Sequence, residues 1–177
     1  MKYITSMTKK PPSDDFQNFQ YWQTLGQQLP VDGVASTFET ESDCRDRLAA
    51  VRWPIGVTCL RCDTKNVGYL ELRKVYHCRD CRYQFTVLTG TVLHSSKLSP
   101  QCWFDAAEEY IRWRAANERY DYGIHALADF LGVPYPTAQR VRKILKQDLA
   151  PDGSGLLAKC ICTEATSDPF ETLSENL

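Results

Sequence analysis

The segment CLRCDTKNVGYLELRKVYHCRDC, from Cys59 to Cys81, limits the fold more than any other stretch. It carries two Cys-x-x-Cys pairs separated by fifteen residues, with few apolar side chains between them. Four cysteines can form two disulfides or hold one metal ion. Disulfides belong to oxidising compartments that are reached by secretion. The N-terminal MKYITSMTKKPPSDD has no long apolar core and no small-residue cleavage site, so it does not read as a signal peptide. No later run approaches the roughly 18 apolar residues of a membrane span. A reducing compartment is therefore expected, and there this spacing reads as zinc. Two residues between cysteines let both thiolates of a tight knuckle face one tetrahedral ion. A thioredoxin-like redox pair is the rival for a single Cys-x-x-Cys, but it needs a surrounding βαβ pattern that is not seen here. The expected ligands are Cys59, Cys62, Cys78 and Cys81. With all four positions cysteine, no coordination site stays open for a catalytic water, so the ion is structural.

The segment needs such a staple. Val67, Tyr69, Leu70, Leu72, Val75 and Tyr76 suggest two short strands, and Phe85, Val87 and Leu88 a third. Strands this short cannot bury a core, and small folds of this kind draw folding energy from a metal. Four thiolates and one zinc carry a net charge of minus two, which Arg61, Arg79 and Arg82 can balance.

Formal net charge over the 177 residues is −1, which by itself favours no partner. Its distribution is uneven. Arg45–Lys97 holds ten basic and four acidic residues, a difference of plus six. Arg112–Lys146 holds seven and three, a difference of plus four. From Gln147 onward there is one Lys against six acids, a difference of minus five. A basic middle and an acidic tail point towards an anionic partner such as nucleic acid, against the plainer alternative of a solvated mixed surface.

Four regions follow. Residues 1–35 are a polar N-terminal extension. Phe16, Phe19, Trp22 and Leu25 recur every third residue there, predicting a short amphipathic helix that packs on its own domain or docks a partner. Residues 36–97 hold the ribbon and a preceding helix. Thr40 and Asp43 form a capping-box variant at that helix's start, with Cys44, Leu48 and Val51 on its buried face. Trp53-Pro54 should end it. Residues 98–150 are helical: Ser99 caps, Pro100 takes the first helical position, and Trp103, Phe104, Ala107, Tyr110, Ile111 and Ala115 form one apolar face. Residues 151–177 read as an acidic tail, disordered or docking, in which Cys160-Ile-Cys162 is too isolated for a metal site. Cys44 and Cys102 read as structural. His77, His94 and His125 have no partner that suggests catalysis. Neither G-x-x-x-x-G-K, nor G-x-S-x-G, nor H-E-x-x-H occurs.

The second informative stretch is GIHALADFLGVPYPTAQRVRKILKQDL. Ile124, Leu127, Ala128 and Leu131 share a helical face, Gly132 breaks the helix, and a second helix opens near Pro134 or Pro136. Ala138, Val141, Ile144 and Leu145 form its apolar face. This is the pattern of a helix-turn-helix, although plain helical hairpins share it. In such a motif the second helix enters the major groove of DNA. Its outward residues would be Tyr135, Thr137, Gln139, Arg140 and Lys143, and Gln and Arg suit adenine and guanine edges there. Arg142, Lys143 and Lys146 would reach phosphates, and Arg73 and Lys74, at the ribbon tip, would add backbone contacts.

Taken together, the pieces resemble the N-terminal region of insertion-sequence transposases of the Merlin superfamily. The resemblance rests on Val51-Arg52-Trp53-Pro54-Ile55-Gly56-Val57-Thr58-Cys59-Leu60-Arg61-Cys62, then Tyr76-His77-Cys78-Arg79-Asp80-Cys81-Arg82-Tyr83-Gln84-Phe85-Thr86-Val87, then Thr89-Gly90-Thr91 and the Leu127-Ala128…Leu131-Gly132-Val133 turn. It covers about residues 36 to 149. It implies a zinc ribbon and helix-turn-helix that precede a ribonuclease-H-type catalytic domain, which this chain is expected to lack. The expected fold is a small α+β one: a four-cysteine zinc ribbon of short antiparallel strands followed by a helical helix-turn-helix module. The expected function is a zinc-dependent duplex-DNA-binding protein derived from a transposase, a regulator or recognition subunit and not an enzyme. The alternatives are a protein–protein adaptor, or a targeting subunit for a nuclease supplied in trans. The expected partners are double-stranded DNA and a protein held through residues 1–35 or 151–177, with no membrane and no small-molecule substrate. The expected location is the cytoplasm at the nucleoid, or the nucleus in a eukaryote.

Overall fold

The computed structural model describes residues 14–116 and 121–162, with side chains from residue 18 onward. The expectations for Phe16 and for the acidic stretch after Cys162 fall outside the described residues. Helices α1 (Asp14–Gln27), α2 (Val34–Thr37) and α3 (Glu41–Arg52) come first. The ribbon follows as β1 (Val67–Leu70), a 3₁₀ turn (Glu71–Arg73), β2 (Val75–Cys78) and β3 (Gln84–Phe85). The chain continues with α4 (Pro100–Ala116), α5 (Ile124–Leu131), α6 (Tyr135–Leu149) and α7 (Leu156–Ile161). The strands form one antiparallel sheet in the order β1-β2-β3, with Val67 opposite Cys78 and Tyr76 opposite Phe85.

α4 is the hub. Ser99 Oγ accepts from the Cys102 N–H at 3.2 Å and starts it, and Pro100 sits where a missing N–H costs nothing. Trp103, Phe104, Ala106, Ala107, Tyr110 and Ile111 are all buried. α1, α2, α3, α5 and α7 pack around it. α3 begins with the expected capping box: Thr40 Oγ1 accepts from the Asp43 N–H while Asp43 accepts from the Thr40 N–H at 2.8 Å. The Thr40 hydroxyl, donating to the Asp43 carboxylate at 2.7 Å, and the Thr40 N–H together hold that carboxyl below its ordinary range.

One buried cluster runs from Trp22 to Cys162, so residues before 36 and after 150 contribute to the same core as α4. Trp22 meets Tyr110 edge-on at 5.6 Å, and Leu25 and Leu29 are buried beside it. The apolar face of α1 is thus used inside the molecule. In the stretch read as a tail, α7 buries Leu157, Ala158, Cys160 and Ile161. The α1–α4 approach is close because residue 26 is glycine: a Cβ there would lie 2.9 Å from the Ala115 Cβ. Gly26→Leu is therefore expected to cost about 1–3 kcal/mol by overpacking. An unchanged urea midpoint would show that α1 does not pack on α4 in solution.

Candidate zinc centre and basic helix face

The two knuckles are built alike. The Cys59 N–H donates to the Thr64 carbonyl at 2.9 Å, and the Cys78 N–H donates to Tyr83, also five residues on, at 2.9 Å. Each knuckle ends on a residue with positive φ, Asp63 at 55° and Arg82 at 60°. Backbone N–H groups of Arg61 and Cys81 donate to the sulfurs of Cys59 and Cys78 at 3.4 Å each. The Asn66 amide donates to Asp80 at 2.6 Å and ties the loop after the first knuckle to the second.

The four sulfurs of Cys59, Cys62, Cys78 and Cys81 lie within 4.8 Å of one another. The Cys59–Cys81 and Cys62–Cys78 pairs are 3.6 Å apart. A disulfide needs about 2.05 Å, so these are separate thiols. Sulfurs about 2.3 Å from a common tetrahedral zinc would be about 3.8 Å apart, and the observed set fits. The remaining cysteines behave differently. Burial pushes the thiols of Cys44 and Cys162 up to about 11 and that of Cys160 to about 12, so they stay protonated and inert. Burial also raises Cys102.

An aromatic plug joins the ribbon to the helices. Trp53 meets Tyr76 at 5.4 Å and Phe85 at 6.0 Å, and the Arg52 guanidinium lies 4.5 Å over the Trp53 ring. Arg52 also donates to the carbonyls of Val87 and Thr89. The Arg-Trp-Pro run thus clasps, plugs and ends α3 in three successive residues. Two residues assigned to the third strand serve elsewhere: Val87 is buried in the helical core, and Leu88 packs against it.

α5 ends at Gly132 in the left-handed region (φ 62°), and α6 starts after Pro134. Leu127, Ala128, Ala138, Val141 and Leu145 are buried, which turns the other face of α6 outward. Gln139, Arg140 and Lys143 are exposed, and Thr137 is half-buried. Tyr135 is exposed, with its ring centroid 4.8 Å from that of His125. Arg142 and Lys146 are partly engaged. Arg142 donates to the Tyr122 carbonyl at 2.9 Å, and Lys146 Nζ lies 2.7 Å from Asp121. Burial alone would raise the Asp121 carboxyl. Hydrogen bonds from Lys146 and Tyr110, with the Lys146 and Arg142 charges, outweigh it and hold the carboxyl below its ordinary range. An open groove of about 780 Å³ runs along this face, lined by Pro136, Gln139, Arg140, Arg142, Lys143, Lys146 and Gln147. Four of the seven are cations and none is a carboxylate. Arg73 and Lys74 line a different groove, beside Glu41 and the loop after β3. Sequence reading missed Asp121, because its partners Tyr110, Arg142 and Lys146 lie on α4 and α6, well separated from it in sequence.

Fold and site together define a four-cysteine zinc ribbon joined to a helical core. Residues 39–84 match the family described as transposase zinc-ribbon domain, of the IS1595 type. The chain is also similar to an uncharacterized protein in transposable element ISH50 of Halobacterium salinarum. The two are 33% identical over 119 residues, which is 65% of this chain and 38% of the relative. No solved structure matches the chain. No helix among the described residues is long and apolar enough to cross a membrane.

Proposed function

We propose that this chain is a zinc-stapled, duplex-DNA-binding protein of transposase descent, acting as a regulator or as the recognition part of a larger assembly. The α6 groove carries the reading: cations and glutamines line it without a carboxylate, on a helix that a Gly132 turn sets against α5. The transposase zinc ribbon supports it. In this reading Gln139 and Arg140 meet base edges, and Lys143 and Lys146 meet phosphates. Pro134 and Pro136 remove backbone donors at the start of α6, so phosphate contacts there fall to side chains. Arg142 holds the helix to the Tyr122 carbonyl and acts as a positioning residue. Zinc, when bound, supplies folding energy. Four thiolates fill its tetrahedral positions, so we assign this centre no catalysis. The reading requires the compartment that holds DNA.

Arg140→Ala is expected to cost about 1–3 kcal/mol on the preferred site and to relax sequence preference. Lys146→Ala is expected to weaken all sequences about equally and to lower the salt slope by about one. Fluorescence anisotropy on selected and random duplexes at several salt concentrations reads both. If neither variant changes affinity at low salt, groove reading fails, and a protein–protein adaptor becomes the better account.

A further inference from the structure

A second basic groove, of about 630 Å³, lies between the tip of the β1–β2 hairpin and the loop from Thr86 to Ser99. Arg45, Arg73, Lys74 and Lys97 line it, against the single carboxylate of Glu41. That carboxylate is already paired with Arg45 and lies 3.9 Å from Lys74 Nζ. Arg73 and Lys97 make no ion pair among the described residues. The groove therefore carries an uncompensated positive charge, spread over three segments far apart in sequence.

The loop wall explains the Thr89-Gly90-Thr91 run, which the zinc centre and the α6 face do not use. It has neither helix nor strand from Thr86 to Ser99, yet it is pinned along much of its length. The Thr86 N–H donates to Thr89 Oγ1 at 2.9 Å, Thr91 Oγ1 donates to the Leu88 carbonyl at 2.7 Å, and Trp103 Nε1 donates to Ser96 Oγ at 2.9 Å. Carbonyls of Thr86, Leu88, Thr91 and Leu93 accept backbone N–H groups, and those of Val87 and Thr89 accept from Arg52. Six carbonyls of this wall are thus engaged within the protein, while Lys97 and Ser95 remain exposed. Such a pinned wall needs no reordering to meet a ligand.

We propose that this groove is a second contact for the phosphate backbone of duplex DNA, separate from the α6 face. An extended polyanion fits better than a small one, because the groove is open and its cations come from three separate segments. The inference rests on the DNA-binding reading above and adds a second surface to it.

The test uses the full chain with zinc bound and a random-sequence duplex. Neutralising two phosphate contacts lowers the slope of log K against log salt by about 1.8, because each contributes about 0.9. The double variant Arg73→Ala, Lys97→Ala is expected to show that loss, with zinc content, circular dichroism and sequence preference as in the parent. The charge-preserving pair Arg73→Lys, Lys97→Arg is expected to keep the parent slope. A double alanine variant with the parent's slope would overturn the second contact while leaving the α6 reading intact. A parent chain that shows no salt-dependent duplex binding would overturn both.

Discussion

Removing zinc is expected to unfold the ribbon while the helical core stays folded. The ribbon's own buried set is Cys59, Cys78 and Phe85, with Trp53, Val57, Val67, Tyr76, Cys81 and Tyr83 partly covered around them. Two of those three buried residues are metal ligands. Without the ion, four thiolates within 4.8 Å would repel one another, and little apolar burial would remain to hold the hairpin. Structural zinc contributes an apparent ~10–16 kcal/mol in small zinc modules, more than such a hairpin can replace. The helical core is separate in kind: Trp103, Tyr110, Leu127 and Leu145 are buried together and include no ligand. Elemental analysis is expected to give one zinc per chain. After chelation, or in Cys78→Ser, backbone amides from Val67 to Cys78 are expected to exchange freely, while those from Trp103 to Ile111 stay protected. Thiol labelling provides a second readout. Four ligand thiols should become reactive on chelation, while Cys44, Cys160 and Cys162, buried and raised to about 11 or 12, stay silent. Freshly purified protein without zinc, or a metal-free chain whose hairpin amides remain protected, would refute the staple.

Local chemistry was legible in the sequence, and distant chemistry was not. The capping box at Thr40–Asp43, the Ser99-Pro100 start of α4 and the Gly132 turn are each decided within four residues, and each stands where the pattern put it. The four-cysteine cluster was legible because the spacing of a knuckle is itself local. Arg52 reads as one more surface cation until its carbonyl partners, 35 and 37 residues away, are in place. Helical spacing set Lys146 and Arg142 on the outward face of α6 but could not show Asp121 beside them. Leu72 was read as a strand residue, yet it lies on the 3₁₀ turn, fully exposed, because the hairpin reverses there through Lys74 at φ 53°. The separate basic groove was legible only at the ribbon tip, where Arg73 and Lys74 were expected to add backbone contacts; Arg45 and Lys97 join them only after α3, the hairpin and the loop have packed.

Asp148→Ala is expected to cost about 3 kcal/mol and to release α7 from the core. α7 has six residues, too few to persist alone, and its ends are stabilised from outside. At the N-terminus the fully buried Asp148 carboxylate accepts the N–H groups of Leu156 at 3.0 Å and Leu157 at 2.8 Å, along with the Ser154 hydroxyl. At the C-terminus Arg47 donates to the carbonyls of Cys160 at 2.9 Å and Lys159 at 3.0 Å. An anion at the positive end and a cation at the negative end both complement the helix dipole. Alanine at 148 strands the two N–H groups, at about 1–3 kcal/mol each, which is the source of the expected cost. Asp148→Asn keeps one acceptor oxygen and should lose about half as much. Gly153→Ala should act in the same direction, since a Cβ there would sit 2.2 Å from the Gln147 carbonyl oxygen and 2.4 Å from that of Asp148. Two measurements separate local release from global unfolding. The urea midpoint should fall, and Cys160 and Cys162 should label with a thiol reagent well below that midpoint. Because Tyr21 donates to the Leu149 carbonyl at 3.0 Å from α1, release of α7 should leave the α1–α6 contact in place. If Asp148→Ala keeps both the parent midpoint and silent Cys160 and Cys162 thiols, the buried carboxylate is not what holds α7, and apolar packing of Leu157 and Ile161 alone suffices.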